Sequence, residues 1–284
     1  MVLLRTLLFV PGNKQRVVDK ALASNADALV LDLEDSVAAA DKQLAREIIR
    51  ETLAKRGSGA PQLWVRVNGT ASGLVENDLD AVVVNGLAGI MFPKADSVDD
   101  IRRLDDSIGL RENAAGIAAG TVKILPILET GKGIFRVFEI ATASDRVAAI
   151  TFGAEDYTLD VGAIRSKEGQ EIFYARSAVV AAAAAARVQA IDTVFTDLDD
   201  EEGLIADCWF GRRLGFSGKN LIHPKQIEPV TKVFSPSPEE ISYARRVVDA
   251  FNASGTGVIS LDGKMIDPPV YERARRILSL AEGA

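Results

Sequence analysis

The sequence predicts an α/β fold and, within that class, a (β/α)8 TIM barrel with a C-terminal helical and hairpin extension. Three observations carry the prediction. Apolar runs rich in Val, Ile and Leu alternate with helical stretches along the chain. Most of the runs are continuous, as in a parallel strand buried on both faces. The 284 residues exceed the roughly 250 that such a barrel needs. A doubly wound sheet is the main rival. It calls for a glycine-rich phosphate loop after an early strand, and the chain has no G-x-G-x-x-G.

The first strand is expected at residues 3–10, an apolar run interrupted by Arg5. The run is short and lacks a small-residue cleavage site, so it reads as a strand and not a signal peptide. Further strands are expected at 28–33, 63–67, 89–92, 122–128, 147–152, 190–195 and 220–222. Helical spacing fills the gaps at 14–24, 41–56, 74–84, 98–108, 134–142, 170–187 and 201–214, with Gly57 and Gly215 as stop signals. The alanine run at 181–186 lies between Arg176 and Arg187 and belongs to a helix, and no segment offers the ~20 apolar residues of a membrane span. Beyond the eighth strand come helices at 227–233 and 238–253. A hairpin at 255–265 turning on Asp262-Gly263 follows, then a helix at 270–281. The chain thus reads as a barrel over 1–225 and an extension over 226–284, serving as a lid or an inter-subunit element.

Composition narrows the function classes. The chain is 48% hydrophobic and 26% charged with a formal charge of −7, which suits a globular enzyme and not a nucleic-acid binder with its basic stripe. A cytoplasmic location without a membrane partner is the expectation. The single cysteine, Cys208, forms no intramolecular disulfide and is expected to pack.

Catalytic groups of a barrel sit at the C-terminal strand ends and in the loops that follow. Two runs stop there on acids, Ile127-Leu128-Glu129-Thr130-Gly131 and Phe152-Gly153-Ala154-Glu155-Asp156. Carboxylates at neighbouring strand ends suit Mg²⁺, a hard cation that leaves positions open for water or substrate. Glu129 and Asp156 are the candidate metal ligands, with helix caps or partners of Arg66 or Lys94 as the alternative. Arg66, inside a Val-x-Val strand, is a candidate clamp on substrate oxygen or a structural partner of Asp32 or Glu34. Asp32 and Glu34 share a strand face and can orient Arg66 or metal-bound water. The first strand ends in Pro11-Gly12-Asn13-Lys14, the fourth in Pro93-Lys94, and the seventh is expected to end in Thr196-Asp197. His223 reads as a structural hydrogen-bonding residue, and Asp197, Asp199 and Asp200 as helix caps. Arg5, Lys14 and Lys20 are either solvated or near an anionic ligand.

Together these segments resemble the citrate lyase β-subunit-like branch of the HpcH/HpaI aldolase family. The resemblance runs nearly end to end. It includes Arg5-Thr6-Leu7-Leu8-Phe9-Val10-Pro11-Gly12, Leu31-Asp32-Leu33-Glu34-Asp35, Val65-Arg66-Val67-Asn68, Leu128-Glu129-Thr130, Gly153-Ala154-Glu155-Asp156, Leu221-Ile222-His223-Pro224 and Gly263-Lys264-Met265-Ile266-Asp267-Pro268. The resemblance implies a TIM barrel that forms trimers or pairs of trimers. It implies a lyase that cleaves or forms carbon–carbon bonds in short acyl-CoA thioesters such as malyl-, citramalyl- or citryl-CoA. It further implies Mg²⁺ at Glu129 and Asp156, substrate oxygen at Arg66, and a general acid/base at Asp267 delivered by a neighbouring subunit's tail. Pro11, Gly12, Asp35, Gly153, Ala154 and Glu155 are assigned with Arg66 to substrate binding, and Asp32 and Glu34 join Arg66 and Asp267 as catalytic candidates. A β subunit that depends on an acyl-carrier partner, a pyruvate aldolase acting without CoA, and a non-catalytic barrel are the other readings.

Overall fold

The structure, a computed structural model, describes residues 3–55, 57, 61–254 and 257–282. Eight parallel strands close into a barrel in chain order. They are β1 Thr6–Pro11, β2 Ala28–Asp32, β3 Gln62–Arg66, β4 Leu87–Phe92, β5 Lys123–Leu128, β6 Ala149–Phe152, β7 Gln189–Asp192 and β8 Gly218–Leu221. Closure pairs Thr6 with Lys219 and Leu8 with Leu221. The connections carry α1 Gln15–Leu22, α2 Lys42–Ala54, α3 Val75–Val82, α4 Val98–Ala114, α5 Gly131–Phe135, α6 Val137–Ala141, α7 Ala154–Asp160, α8 Phe173–Ala186 and α9 Glu201–Leu214.

Side chains alternate across a strand, and one parity fills the barrel. Leu7, Ala28, Val30, Trp64, Met91, Leu125, Ile127, Ala149 and Ile191 form a single buried cluster. Gly89 makes room for the largest of them, because a Cβ at that position would collide with the Trp64 ring. The opposite parity faces the helices. There Asp192, the last residue of β7, and Lys219 of β8, its partner in register, meet Arg176 of α8 and Asp207 of α9. Arg176 bonds Asp192 and reaches Asp207 at 2.9 Å, and Lys219 reaches Asp207 at 2.6 Å. Four charges thus bind two strands to two helices.

The chain divides into two compact units, Leu4–Val230 and Thr231–Ala284 with Met1–Leu3. α10 Ile227–Phe234 starts in the first. The second holds α11 Pro238–Ser254, the antiparallel hairpin of β9 Ile259–Leu261 and β10 Lys264–Ile266, and α12 Pro268–Glu282. Ala244, Val247, Ile266 and Ala274 form its core, beside Phe251 stacked on Tyr271. Residues 255 and 256 of the expected hairpin lie outside the described residues, as does Arg56 at the expected end of α2. No helix among the described residues is long and apolar enough to cross a membrane.

Three expectations need correction. The seventh strand stops at Asp192 and not at 195. The Asp192 carboxylate accepts the Thr193 N–H at 2.9 Å and is anchored outward by Arg176, so the backbone leaves the ladder there. The helix expected at 134–142 is two short helices broken at Arg136. The first of them is capped by Thr130, whose Oγ1 accepts the Gly133 N–H at 2.9 Å. Asp156 lies not on a strand end but in the first turn of α7, a helix too short to show a periodicity of its own.

Candidate active site

The core parity, continued by two residues, leaves the apolar cluster and enters polar ground. From Val30 it reaches Asp32, from Trp64 Arg66, from Ile127 Glu129, and from Ile191 Thr193. The barrel geometry thus delivers these groups to one mouth. A cleft of about 160 Å³ there is lined by Phe9, Arg66, Glu129, Gly153, Ala154, Glu155, Asp156, Thr193 and Asn220, with apolar walls from Ile127, Phe152 and Val194.

Arg66 is held from several sides. Its Nε and Nη2 each donate to Asp32 at 2.7 Å, the planar fork matching the carboxylate. Nη1 lies 3.1 Å from Glu34 and 3.6 Å from the exposed Asp35. The Phe9 ring packs on the guanidinium with its centroid 5.0 Å away. Asp32 also accepts the N–H groups of Glu34 at 2.9 Å and Ser36 at 3.0 Å. Burial pushes the Asp32 carboxyl upward, but the Arg66 guanidinium and these donors outweigh it and hold the carboxyl below its ordinary range. Asp32 is therefore fully occupied in orienting Arg66. Glu34 goes the other way: burial raises it to about 7, against the pull of Arg66 and with the push of Asp35 and Asp32.

Glu129 is 5% exposed, and burial raises it to about 8 despite the Lys94 N–H, with the Asp156 and Glu34 charges pushing the same way. Its carboxylate lies across Gly153. A Cβ on Gly153 would stand 2.6 Å from Glu129 Oε2, so this strand end needs a glycine. The Lys94 N–H donates to Glu129 Oε1 at 2.8 Å, and Lys94 Nζ lies 3.5 Å from Asp156 Oδ1. Lys94 adopts a left-handed φ of 48°. That conformation is uncommon for a side chain with a Cβ, and in it the residue's N–H meets Glu129 while its Nζ meets Asp156.

The remaining candidates distribute as follows. Pro11 is in register with Asp32, and the Gly12 N–H donates to the Asp32 carbonyl at 3.0 Å, so both brace the loop under Arg66. The Ala154 N–H donates to Thr193 Oγ1 at 3.0 Å. Glu155 accepts from Arg165 at 3.2 Å. Asp267, in the C-terminal unit, caps α12 by accepting the Val270 N–H at 3.1 Å, with Pro268 following. Arg5 pairs with Asp27 at 2.7 Å, which leaves its first alternative, a solvated side chain, unfulfilled. His223 Nδ1 accepts the Lys225 N–H at 3.1 Å, and Asp200 caps α9. Cys208 is buried, which lifts its thiol to about 12, consistent with packing. Phe9, Thr193 and Asn220 were not expected in the cleft. Counting two residues on from Leu7 and Ile191 identifies the first two.

The HpcH/HpaI aldolase/citrate lyase family matches residues 5–224. The citrate lyase subunit beta of Leuconostoc mesenteroides subsp. cremoris is 41% identical over 280 residues, 98% of this chain and 93% of that protein. The mitochondrial citramalyl-CoA lyase of Homo sapiens is 35% identical over 290 residues, 98% of this chain and 85% of that protein. Among solved structures, the CitE protein of Mycobacterium tuberculosis in complex with magnesium, acetoacetate and coenzyme A is similar. It has a TM-score of 0.82 and 30% identity, covering 99% of this chain and 98% of that one. With an eight-stranded barrel, two acids facing an arginine across its mouth, and matches of this length, the chain belongs to the HpcH/HpaI aldolase/citrate lyase family.

Proposed function

We propose that this protein is a Mg²⁺-dependent carbon–carbon lyase that cleaves or forms short β-hydroxyacyl-CoA thioesters, of the citryl-, malyl- or citramalyl-CoA kind. The observation that carries the reading is the single cleft in which Glu129 and Asp156 face a clamped Arg66. The relatives named citrate lyase subunit beta and citramalyl-CoA lyase, and the neighbour bound to magnesium and coenzyme A, support it.

The donor set fits the metal. Among the described residues no group of three or more His, Cys, Asp or Glu is arranged to hold an ion. Two carboxylates alone are what Mg²⁺ uses when it keeps waters and substrate in its other positions. Burial works against charge on Glu129, and a cation would reverse that. Glu129 and Asp156 would hold the ion, which when bound polarises substrate oxygens and offsets negative charge developing on them. Arg66 adds a fixed donor for the same charge, and its orientation is settled beforehand by Asp32 and Glu34, so little reorganisation accompanies the reaction. Phe9, Ile127 and Phe152 give the cleft apolar walls that strengthen these interactions. Asp267 is the proposed general acid/base that exchanges the proton at the thioester α-carbon, from its own or a neighbouring subunit.

A homotrimer or a pair of trimers is part of the same reading. Phe135, Leu159 and Ile164 are each more than 80% exposed, apolar surface of the kind that self-association covers. A carrier-dependent β subunit is the second reading, favoured by the 41% identity to citrate lyase beta subunits. A Mg²⁺-dependent cleavage assay on malyl-, citramalyl- and citryl-CoA, with an EDTA control, separates the possibilities. Cleavage of a free CoA ester that EDTA abolishes supports a stand-alone lyase. Cleavage only of an acyl-carrier thioester supports the subunit. Release of pyruvate from a 4-hydroxy-2-oxo acid, with no response to CoA esters, replaces both with the aldolase.

A further inference from the structure

Asn220 lies in β8 with its side chain lining the cleft and is 4% exposed. Its amide orientation is fixed by a chain of donors. Thr151 Oγ1 gives its one hydrogen to the Ile191 carbonyl at 3.0 Å. Toward Asn220 it can therefore only accept, which it does from Nδ2 at 2.8 Å. The amide oxygen is thereby fixed on the other side, where Oδ1 is buried without a hydrogen-bond donor from the protein. A buried acceptor left unsatisfied is costly, and one at the edge of a ligand cleft calls for a donor from what enters the cleft.

We infer that Asn220 is a substrate-binding residue whose Oδ1 accepts the hydrogen of the β-hydroxyl of the acyl group, so that it selects hydroxyacyl thioesters over their keto products. The inference rests on the lyase reading above. The acyl part of such an ester, with its carboxylate ionised, carries one hydrogen-bond donor, the hydroxyl. The keto acid and the acyl thioester that cleavage leaves carry none. During cleavage the hydroxyl proton departs to a base as the carbon–carbon bond breaks and a C=O forms. An amide oxygen is no base, so the contact exists in the ground state and is lost as the reaction proceeds. An interaction of that kind lowers KM without raising kcat.

The test compares esters that differ only in the hydroxyl. Wild-type protein and Asn220→Leu are assayed with Mg²⁺ on malyl-CoA and citramalyl-CoA, with succinyl-CoA and the methylsuccinyl ester as competitive inhibitors. The expected result is a KM for the hydroxy ester raised about tenfold in the variant, a kcat that does not fall, and a Ki for the deoxy ester that stays level or drops. Equal shifts in KM and Ki would mean that Oδ1 serves an ordered water or the packing, and would overturn the inference. So would an unchanged KM. Asn220→Ala is read in the same way if the leucine variant has no cooperative thermal transition. Wild-type protein that neither cleaves nor binds any of the esters removes the lyase reading and this inference together, whereas cleavage without the differential removes only the inference.

Discussion

Arg66 and Glu129 face each other across the cleft with opposite demands on their surroundings. Arg66 is half-buried beside Asp32 and Glu34, whose charges outweigh the cost of desolvation and hold the guanidinium firmly protonated. Lysine lacks the planar fork and the stacking surface against Phe9. Arg66→Lys is expected to lower kcat/KM by about a hundredfold or more while costing about 1–2 kcal/mol of stability, read by steady-state kinetics and urea denaturation. Glu129 has the opposite problem, a buried acid with too little positive charge. Its folded value near 8 lies above the ordinary 4.5. Between those values the folded, metal-free protein holds a proton that the unfolded chain has released. The stability this group contributes is therefore complete below about pH 4.5 and is lost as pH rises toward 8. Glu34, raised to about 7, acts in the same direction over a narrower window. In EDTA the urea midpoint should fall from pH 5 to pH 8. Glu129→Gln should flatten that slope, and Mg²⁺ should restore the midpoint at pH 8. A midpoint that rises over that range in EDTA would contradict the assignment.

At the scale of elements, the strand ends carry both the chemistry and the readable part of the sequence. Glu129 was legible because β5 is a continuous apolar run that ends on it, and Arg66 because a cation inside a Val-x-Val strand is conspicuous. Asp156 lines the cleft, but from the first turn of α7 and not from the strand end that the sequence pattern suggests. Thr193 went unnoticed because residues 193–195 extend the apolar run of β7. Nothing local in the sequence announces that Asp192 is caught from outside by residues 16 and 27 positions away. A tertiary ion pair decides where that strand ends, and tertiary pairs are invisible to periodicity. The pairing of Asp32 with Arg66 was one of two open alternatives for the same reason. The Arg176–Asp192–Lys219–Asp207 network gives a direct test of its structural weight. Asp192→Ala leaves Arg176 and Lys219 buried with only Asp207 between them and should destabilise by about 3–5 kcal/mol, read as a drop in the urea midpoint.

At the scale of the whole molecule, the proposed role of Asp267 gives the C-terminal unit a part in the reaction. The sequence showed its helices and hairpin, but Asp267 was assigned its role by resemblance alone, and in the structure it caps α12. The two roles can be separated, because asparagine caps a helix about as well as aspartate but neither accepts nor donates a proton as a carboxylate does. Asp267→Asn should keep its thermal midpoint within about 2 °C and lose kcat by roughly 10²–10⁴-fold. If Asp267 serves a neighbouring subunit, refolding inactive Asp267→Asn protein together with inactive Arg66→Ala protein will return part of the activity. A mixture that stays inactive would mean that the two residues act within one chain.

Lys219 and Asn220 are adjacent in β8 and look in opposite directions, the first out to the ion network with α9 and the second into the cleft. Adjacent positions of one strand therefore do separate work: the outward side chain ties the fold together, and the inward one, on the proposal above, discriminates among the molecules that enter. An exchange at the outward position is expected to show in stability, and one at the inward position in the choice of acyl group.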